Sequence, residues 1–182
     1  MQITQLTNDL IQPFEEGKVF AYPTEAVYGL GCDPDNESAV MRLLEIKKRS
    51  IEKGLILIAS DFSQVEKYLK PLLQTQIEFT SPSETTFVFP AMDSAPKWLT
   101  GDFNSLAIRI TKHPLAKALC ETLGSAVVST SANISGQQPA KTVDELTKQL
   151  GDKIDYVLEG ELGESQKPSV IRDSISGGII RQ

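Results

Sequence analysis

The sequence predicts an α/β protein in one domain over residues 1–182, a sheet with helices packed on it. Three observations lead there. Strand-sized apolar runs alternate with helix-spaced ones along the whole chain. No stretch rich in Pro, Gly or Ser divides it, and 182 residues suffice to bury a core. Several connections are too short for crossovers, so antiparallel pairs are expected.

In chain order, Ile3, Leu6, Leu10 and Phe14 follow helical spacing, with Pro13 expected to kink or end that helix. Val19 to Tyr22 reads as a buried strand. Asp35-Asn36 can start a helix whose apolar face is Val40, Leu43, Leu44 and Ile46. Leu55 to Ile58 is a continuous apolar run, as in a strand covered on both faces. Val65, Tyr68 and Leu69 predict a short helix that Pro71 stops. Thr85 to Phe89 and Leu106 to Ile110 read as strands. His113 to Leu123 reads as a helix with Gly124 as its C-cap. Ala126 to Ser129 is a further strand. Thr142-Val143-Asp144-Glu145 matches a capping box, which predicts a helix to about Leu150. Tyr156 to Leu158 and Val170 to Ile171 are short strand candidates.

Composition excludes several classes. Apolar residues make up 40%, too many for a disordered chain. No apolar run reaches the ~18–20 residues of a membrane span, and no signal-peptide pattern opens the chain, so a soluble cytoplasmic protein with no membrane partner is expected. Cys32 and Cys120 are isolated and lack metal-ligand spacing. They read as reduced thiols, with one disulfide the alternative. The net charge of −6 argues against a protein that wraps nucleic acid by charge alone. Yet five of the 18 Lys and Arg residues fall between Arg42 and Lys53. An acidic body with one cationic patch points to a local anion site.

Three motifs could carry chemistry. Lys47-Lys48-Arg49, followed by Ser50 and Lys53, ends a helix just before a buried strand. Cations there complement the helix dipole. The i, i+2 spacing could also aim two cations at one phosphate, Arg as a fork and Lys as a point charge. In Val127 to Gly136 an apolar strand runs into Ser129-Thr130-Ser131-Ala132-Asn133. Hydroxyls, an amide and backbone N–H groups at a strand end make an anion cradle, although a plain hydrophilic turn has the same composition. In Tyr22-Pro23-Thr24-Glu25 with Tyr28-Gly29-Leu30-Gly31, a strand leads into a turn whose glycines allow close backbone approach to a ligand. Neither a P-loop nor a dinucleotide fingerprint is present. The only histidine, His113, reads as a helix-start residue rather than part of a Ser-His-Asp site. No structural zinc site is expected.

Taken together these residues resemble the YrdC-like (TsaC) family of threonylcarbamoyl-AMP synthases, in its short bacterial form. The resemblance rests on the third motif, on Lys47-x-Arg49 with Lys53-Gly54-Leu55, on Leu106-Ala107-Ile108-Arg109, on Ser129 to Asn133, and on Pro168-Ser169 before Ile171-Arg172-Asp173. Each is weak alone; in the family's order they are specific. One stretch departs: Ser81-Pro82-Ser83-Glu84-Thr85-Thr86 stands where the family usually has Trp-Pro-Gly-Pro-x-Thr.

The resemblance implies a twisted mixed sheet with a concave ligand face (YrdC/RibB-like). It implies a nucleotidyltransferase that makes L-threonylcarbamoyladenylate and pyrophosphate from L-threonine, bicarbonate and ATP. Mg2+ would arrive with ATP, without a dedicated protein metal site. A downstream tRNA threonylcarbamoyl transferase system would pass the group to adenosine 37 of tRNA (t6A37). Lys47 and Arg49 would be catalytic by neutralising the triphosphate. Lys53, Ser105, Ser131, Asn133 and Arg181 would also contact ATP. Thr24, Arg109, Ser129 and Ser169 would hold threonine. No enzyme nucleophile is needed; catalysis would be positioning and charge stabilisation. Two rivals stand beside this reading. One is a double-stranded RNA-binding or ribosome-maturation factor, with double-stranded RNA or tRNA as its partner. The other is an ATP-dependent ligase acting on another amine.

Overall fold

A computed structural model describes residues 1–73, 79, 84–165 and 169–181. Among the described residues, ten strands form one mixed sheet in the order β1-β8-β2-β3-β7-β4-β6-β5-β9-β10. They are β1 (Gln2–Thr4), β2 (Phe20–Pro23), β3 (Tyr28–Gly31), β4 (Ile56–Ala59), β5 (Thr86–Pro90), β6 (Ser105–Ile110), β7 (Val127–Ser131), β8 (Tyr156–Leu158), β9 (Ile171–Asp173) and β10 (Ile179–Arg181). The helices are α1 (Ile11–Glu15), α2 (Glu37–Lys47), α3 (Lys97–Thr100), α4 (Pro114–Leu123) and α5 (Val143–Leu150). None of these is long and apolar enough to cross a membrane.

The caps explain where the helices begin. The Asn36 side chain accepts from the Ala39 N–H at α2, and Thr142 accepts from the Glu145 N–H at α5. At α4 the His113 ring takes the same role, and Pro114 fills the first position, where no N–H is needed. Gly124 ends α4 in the left-handed conformation, as expected.

Side-chain alternation assigns each strand residue to a face. On one face α2, α3 and α5 bury Val40, Leu43, Leu99 and Leu146 against Leu30, Leu57, Ile108 and Val128. On the other, α1 and α4 bury Phe14, Leu119 and Cys120 against Phe20, Tyr22, Ile58 and Val127. Leu57 and Ile58 thus enter opposite cores, which is why the 55–58 run is apolar throughout. Helices cover only part of the second face. Beside them, Ile56, Arg109 and Ser129 line a cavity instead. Cys32 and Cys120 are separate, buried, free thiols.

Three expectations need correction. Ile3 belongs to β1, a parallel partner of β8, and the helical spacing from Ile3 to Phe14 does not make one helix. The chain turns helical only at Asn8–Leu10, and Pro13 falls in the first turn of α1, where it breaks nothing. Residues 28–31 are a strand, not a turn: β3 pairs antiparallel with β2 and with β7. A side chain at Gly31 would place its Cβ 2.4 Å from the Val128 carbonyl oxygen, so glycine lets these two strands close up. The Val65–Leu69 segment is a pair of 3-10 turns, Phe62–Gln64 and Glu66–Tyr68, rather than an α-helix.

Candidate active site

The cavity has a volume of about 910 Å³, and its floor is the uncovered part of the sheet. The basic motif reaches it through the end of α2. Lys48 is the one residue other than glycine with positive φ among those described, at φ 51°. It closes a Schellman motif, with the Lys48 N–H on the Glu45 carbonyl and the Arg49 N–H on the Leu44 carbonyl, each at 3.0 Å. That reversal sends Lys47 and Arg49 to different places.

Lys47 is only 2% exposed and does not line the cavity. Its Nζ donates to the Ser131 carbonyl, to the Asn133 carbonyl at 2.9 Å and to Asn133 Oδ1 at 3.2 Å. Those three acceptors use all the N–H bonds of an ammonium. The Ser131 hydroxyl donates to the same Asn133 Oδ1 at 2.6 Å, and Asn133 Nδ2 donates to the Gln137 carbonyl at 2.7 Å. The Ser135 N–H closes the ring on the Lys47 carbonyl at 2.9 Å. The two motifs that the sequence singled out are therefore one locked unit. Burial, helped by the nearby Arg49 charge, pushes Lys47 down to about 8.

Arg49 does line the cavity, as do Ser131 and Arg181. Its Nη2 donates to the Gly54 carbonyl at 2.9 Å. Its Nε is buried and has no partner among the described residues. Burial, and then Arg181, hold its pKa below the usual value.

Arg109 enters from β6, in register with Ile58 of β4. It forms an ion pair with Glu25, and both side chains are nearly buried. Arg109 Nε is also buried and unpartnered among the described residues. Burial lowers Arg109 to about 10, so it remains charged at neutral pH. Glu25 Oε1 accepts from the Thr111 hydroxyl at 3.0 Å. Thr24, Ser129 and Ser169 line the same cavity. The Thr24 hydroxyl donates to the Val27 carbonyl at 2.7 Å, and the Ser169 and Thr86 hydroxyls lie 3.0 Å apart.

Of the expected site residues, the structure brings together Thr24, Arg49, Arg109, Ser129, Ser131, Ser169 and Arg181. Lys47 and Asn133 stand behind them. Lys53 lies exposed in a 3-10 turn, and Ser105 opens β6 opposite Pro90; neither lines the cavity. His113 Nδ1 accepts the Ala116 N–H, which leaves Nε2–H to donate to the Glu161 carbonyl at 3.1 Å. This is the cap role expected of it. Pro168 and residues 81–83 of the altered stretch lie outside the described residues, while Glu84, Thr85 and Thr86 line the cavity. Sequence reasoning assigned no role to Glu25 or Thr86. Glu25 stood inside a quoted motif, but its Arg109 partner is brought to it only by the fold.

Among known proteins, the sequence profile of the Sua5/YciO/YrdC family, described as telomere recombination, matches residues 12–182. Threonylcarbamoyl-AMP synthases of Escherichia coli strain K12 and Shigella boydii serotype 4 are each 50% identical over 177 residues. Those alignments cover 94% of this chain and 93% of the relatives. The crystal structure of P. abyssi Sua5 complexed with L-threonine superposes with a TM-score of 0.84 at 28% identity. It covers 94% of this chain, which spans about half (53%) of that longer protein. The crystal structure of E. coli YciO, at 23% identity, matches in fold with a TM-score of 0.80 over 100% of this chain and 93% of that one.

Proposed function

The chain belongs to the Sua5/YciO/YrdC family, and on that premise we propose that it makes L-threonylcarbamoyladenylate from L-threonine, bicarbonate and ATP. One observation carries the reading. Two arginines line a single cavity, Arg49 held through one nitrogen by the Gly54 carbonyl and Arg109 through one nitrogen by Glu25, and each guanidinium has N–H donors beyond those contacts. A partly buried guanidinium with spare donors is stabilised by an anionic ligand. Two such guanidiniums in one cavity fit a substrate pair that carries a triphosphate and a carboxylate.

The chemistry then needs little from the protein beyond placement. The threonine amine attacks the carbon of CO2 supplied by bicarbonate and loses a proton, giving a carbamate. A carbamate oxygen attacks the α-phosphorus of ATP in line, the bond to the β-phosphate oxygen breaks, and pyrophosphate leaves. Arg49, Ser131 and Arg181 would meet the phosphates and stabilise the charge that builds on the leaving group. Mg2+ would enter with ATP as part of the substrate. Arg109 would take the threonine carboxylate, with Thr24, Ser129 and Ser169 around the rest of the amino acid. Lys47 and Asn133 act from behind by fixing the turn that presents Ser131. Lys53 and Ser105 have no part in this assignment. The adenylate would be consumed by a cytoplasmic tRNA threonylcarbamoyl transferase system.

Pyrophosphate release by the purified protein tests the reading through omission of each substrate. Release should require ATP, threonine and bicarbonate together, and serine or valine should not replace threonine. Release without bicarbonate would sink the reaction in favour of another ATP-dependent ligase. No release, combined with tight binding of double-stranded RNA, would favour a binding module.

A further inference from the structure

Glu25 lines the cavity with a carboxylate, yet the reaction above gives it nothing to do. We propose that Glu25 is a positioning residue: it fixes one edge of the Arg109 guanidinium so that the remaining edge receives the carboxylate of the amino acid substrate. The proposal rests on the two-substrate reading and adds a determinant of its threonine end.

Glu25 is itself held from several sides. Its Oε1 accepts from the Thr111 hydroxyl, which is fully buried and does not line the cavity. Its backbone carbonyl accepts the Ser165 N–H at 3.0 Å, and the neighbouring Thr24 carbonyl accepts the Gly163 N–H at 3.0 Å. A side chain at Gly163 would place its Cβ 2.8 Å from the Glu25 Cα, so the 163–165 segment packs directly on Glu25. A carboxylate fixed at both backbone and side chain is a rigid anchor for a guanidinium.

The pair also answers an electrostatic need. Arg109 alone would be a nearly buried cation in an empty site, which is costly. Glu25 neutralises it through Nη2 without using all five N–H donors of the guanidinium, and Arg109 still lines the cavity. A purely structural ion pair has no reason to sit in the wall of a cavity with a donor left over. A second carboxylate completes the fork, and the planar geometry of arginine allows both at once.

Calorimetric binding of L-threonine and of ATP to the full chain, in wild type and in Glu25→Gln, tests this. Gln keeps an acceptor for Thr111 and removes the charge. Threonine affinity should fall about tenfold or more, while ATP affinity stays within about twofold. Because Glu25 acts through Arg109, the double variant Glu25→Gln/Arg109→Lys should bind threonine no more weakly than Arg109→Lys alone. Thr111→Val leaves the ion pair charged and serves if Glu25→Gln does not fold; it should weaken threonine binding in the same direction, by less. Unchanged threonine affinity, equal losses for both ligands, or independent effects in the double variant would overturn the proposal while leaving the reaction standing. A wild type that binds no threonine would overturn both.

Discussion

Lys47 has an ordinary pKa of 10.5 that burial pushes down to about 8 in the fold. Between those values the unfolded chain holds a proton that the folded chain has shed. Stability therefore rises with pH across that window, and Lys47 adds no slope below about 8. Function should move the other way. The ammonium has three N–H donors for its three acceptors, and the neutral amine has two. The Ser131–Asn133 turn loses a bond as pH rises through about 8. Denaturant unfolding and kcat/KM, each measured on both sides of that pH, should show a gain in stability beside a loss in turnover. Lys47→Met should flatten both trends; a variant that keeps either slope would remove Lys47 as its source. The sequence displayed the chemistry of these residues but not their arrangement. Lys47 read as a phosphate ligand from its i, i+2 spacing with Arg49 and from the family resemblance; that it is directed to the Ser131–Asn133 turn depends on the left-handed Lys48, which those residue types do not announce. The Glu25–Arg109 pair was illegible because only the fold brings the turn after β2 beside β6, two segments far apart in the chain.

At the scale of the element, caps carried most of the legible signal. Asn36, Thr142 and Gly124 each act as their residue types dictate, so α2, α4 and α5 fall near where the periodicity places them. β3 was hidden for a physical reason. Gly29 and Gly31 have no side chain to alternate, and glycine is disfavoured in isolated strands. What makes Gly31 a strand residue is the close approach of β7. Gly31→Ala would bring a methyl 2.4 Å from the Val128 carbonyl oxygen, and backbone must shift to admit it. Urea unfolding should show a loss of about 1–3 kcal/mol. A variant as stable as wild type would mean that β3 and β7 are not so tightly joined.

At the scale of the molecule, the site is the part of the sheet that helices leave uncovered. α2, α3 and α5 close one face, while α1 and α4 close only part of the other. The part left open carries Arg109 of β6 and Ser129 and Ser131 of β7 beside Ile56 and Ile58 of β4, so polar groups line it where a ligand would share their hydrogen bonds. The alternation of strand residues was readable from the chain; which face stays open was not, because it depends on where helices distant in sequence dock. The net charge of −6 sits around a cavity holding Arg49, Arg109 and Arg181, in keeping with a local anion site. The reaction proposed for this one cavity joins a threonine carbamate to the adenylyl group of ATP. Mass analysis of the product formed from ATP, threonine and 13C-labelled bicarbonate tests it most directly. One adenylate that contains threonine and a single 13C atom is expected. A threonine adenylate without the labelled carbon, or no adenylate at all, would contradict it.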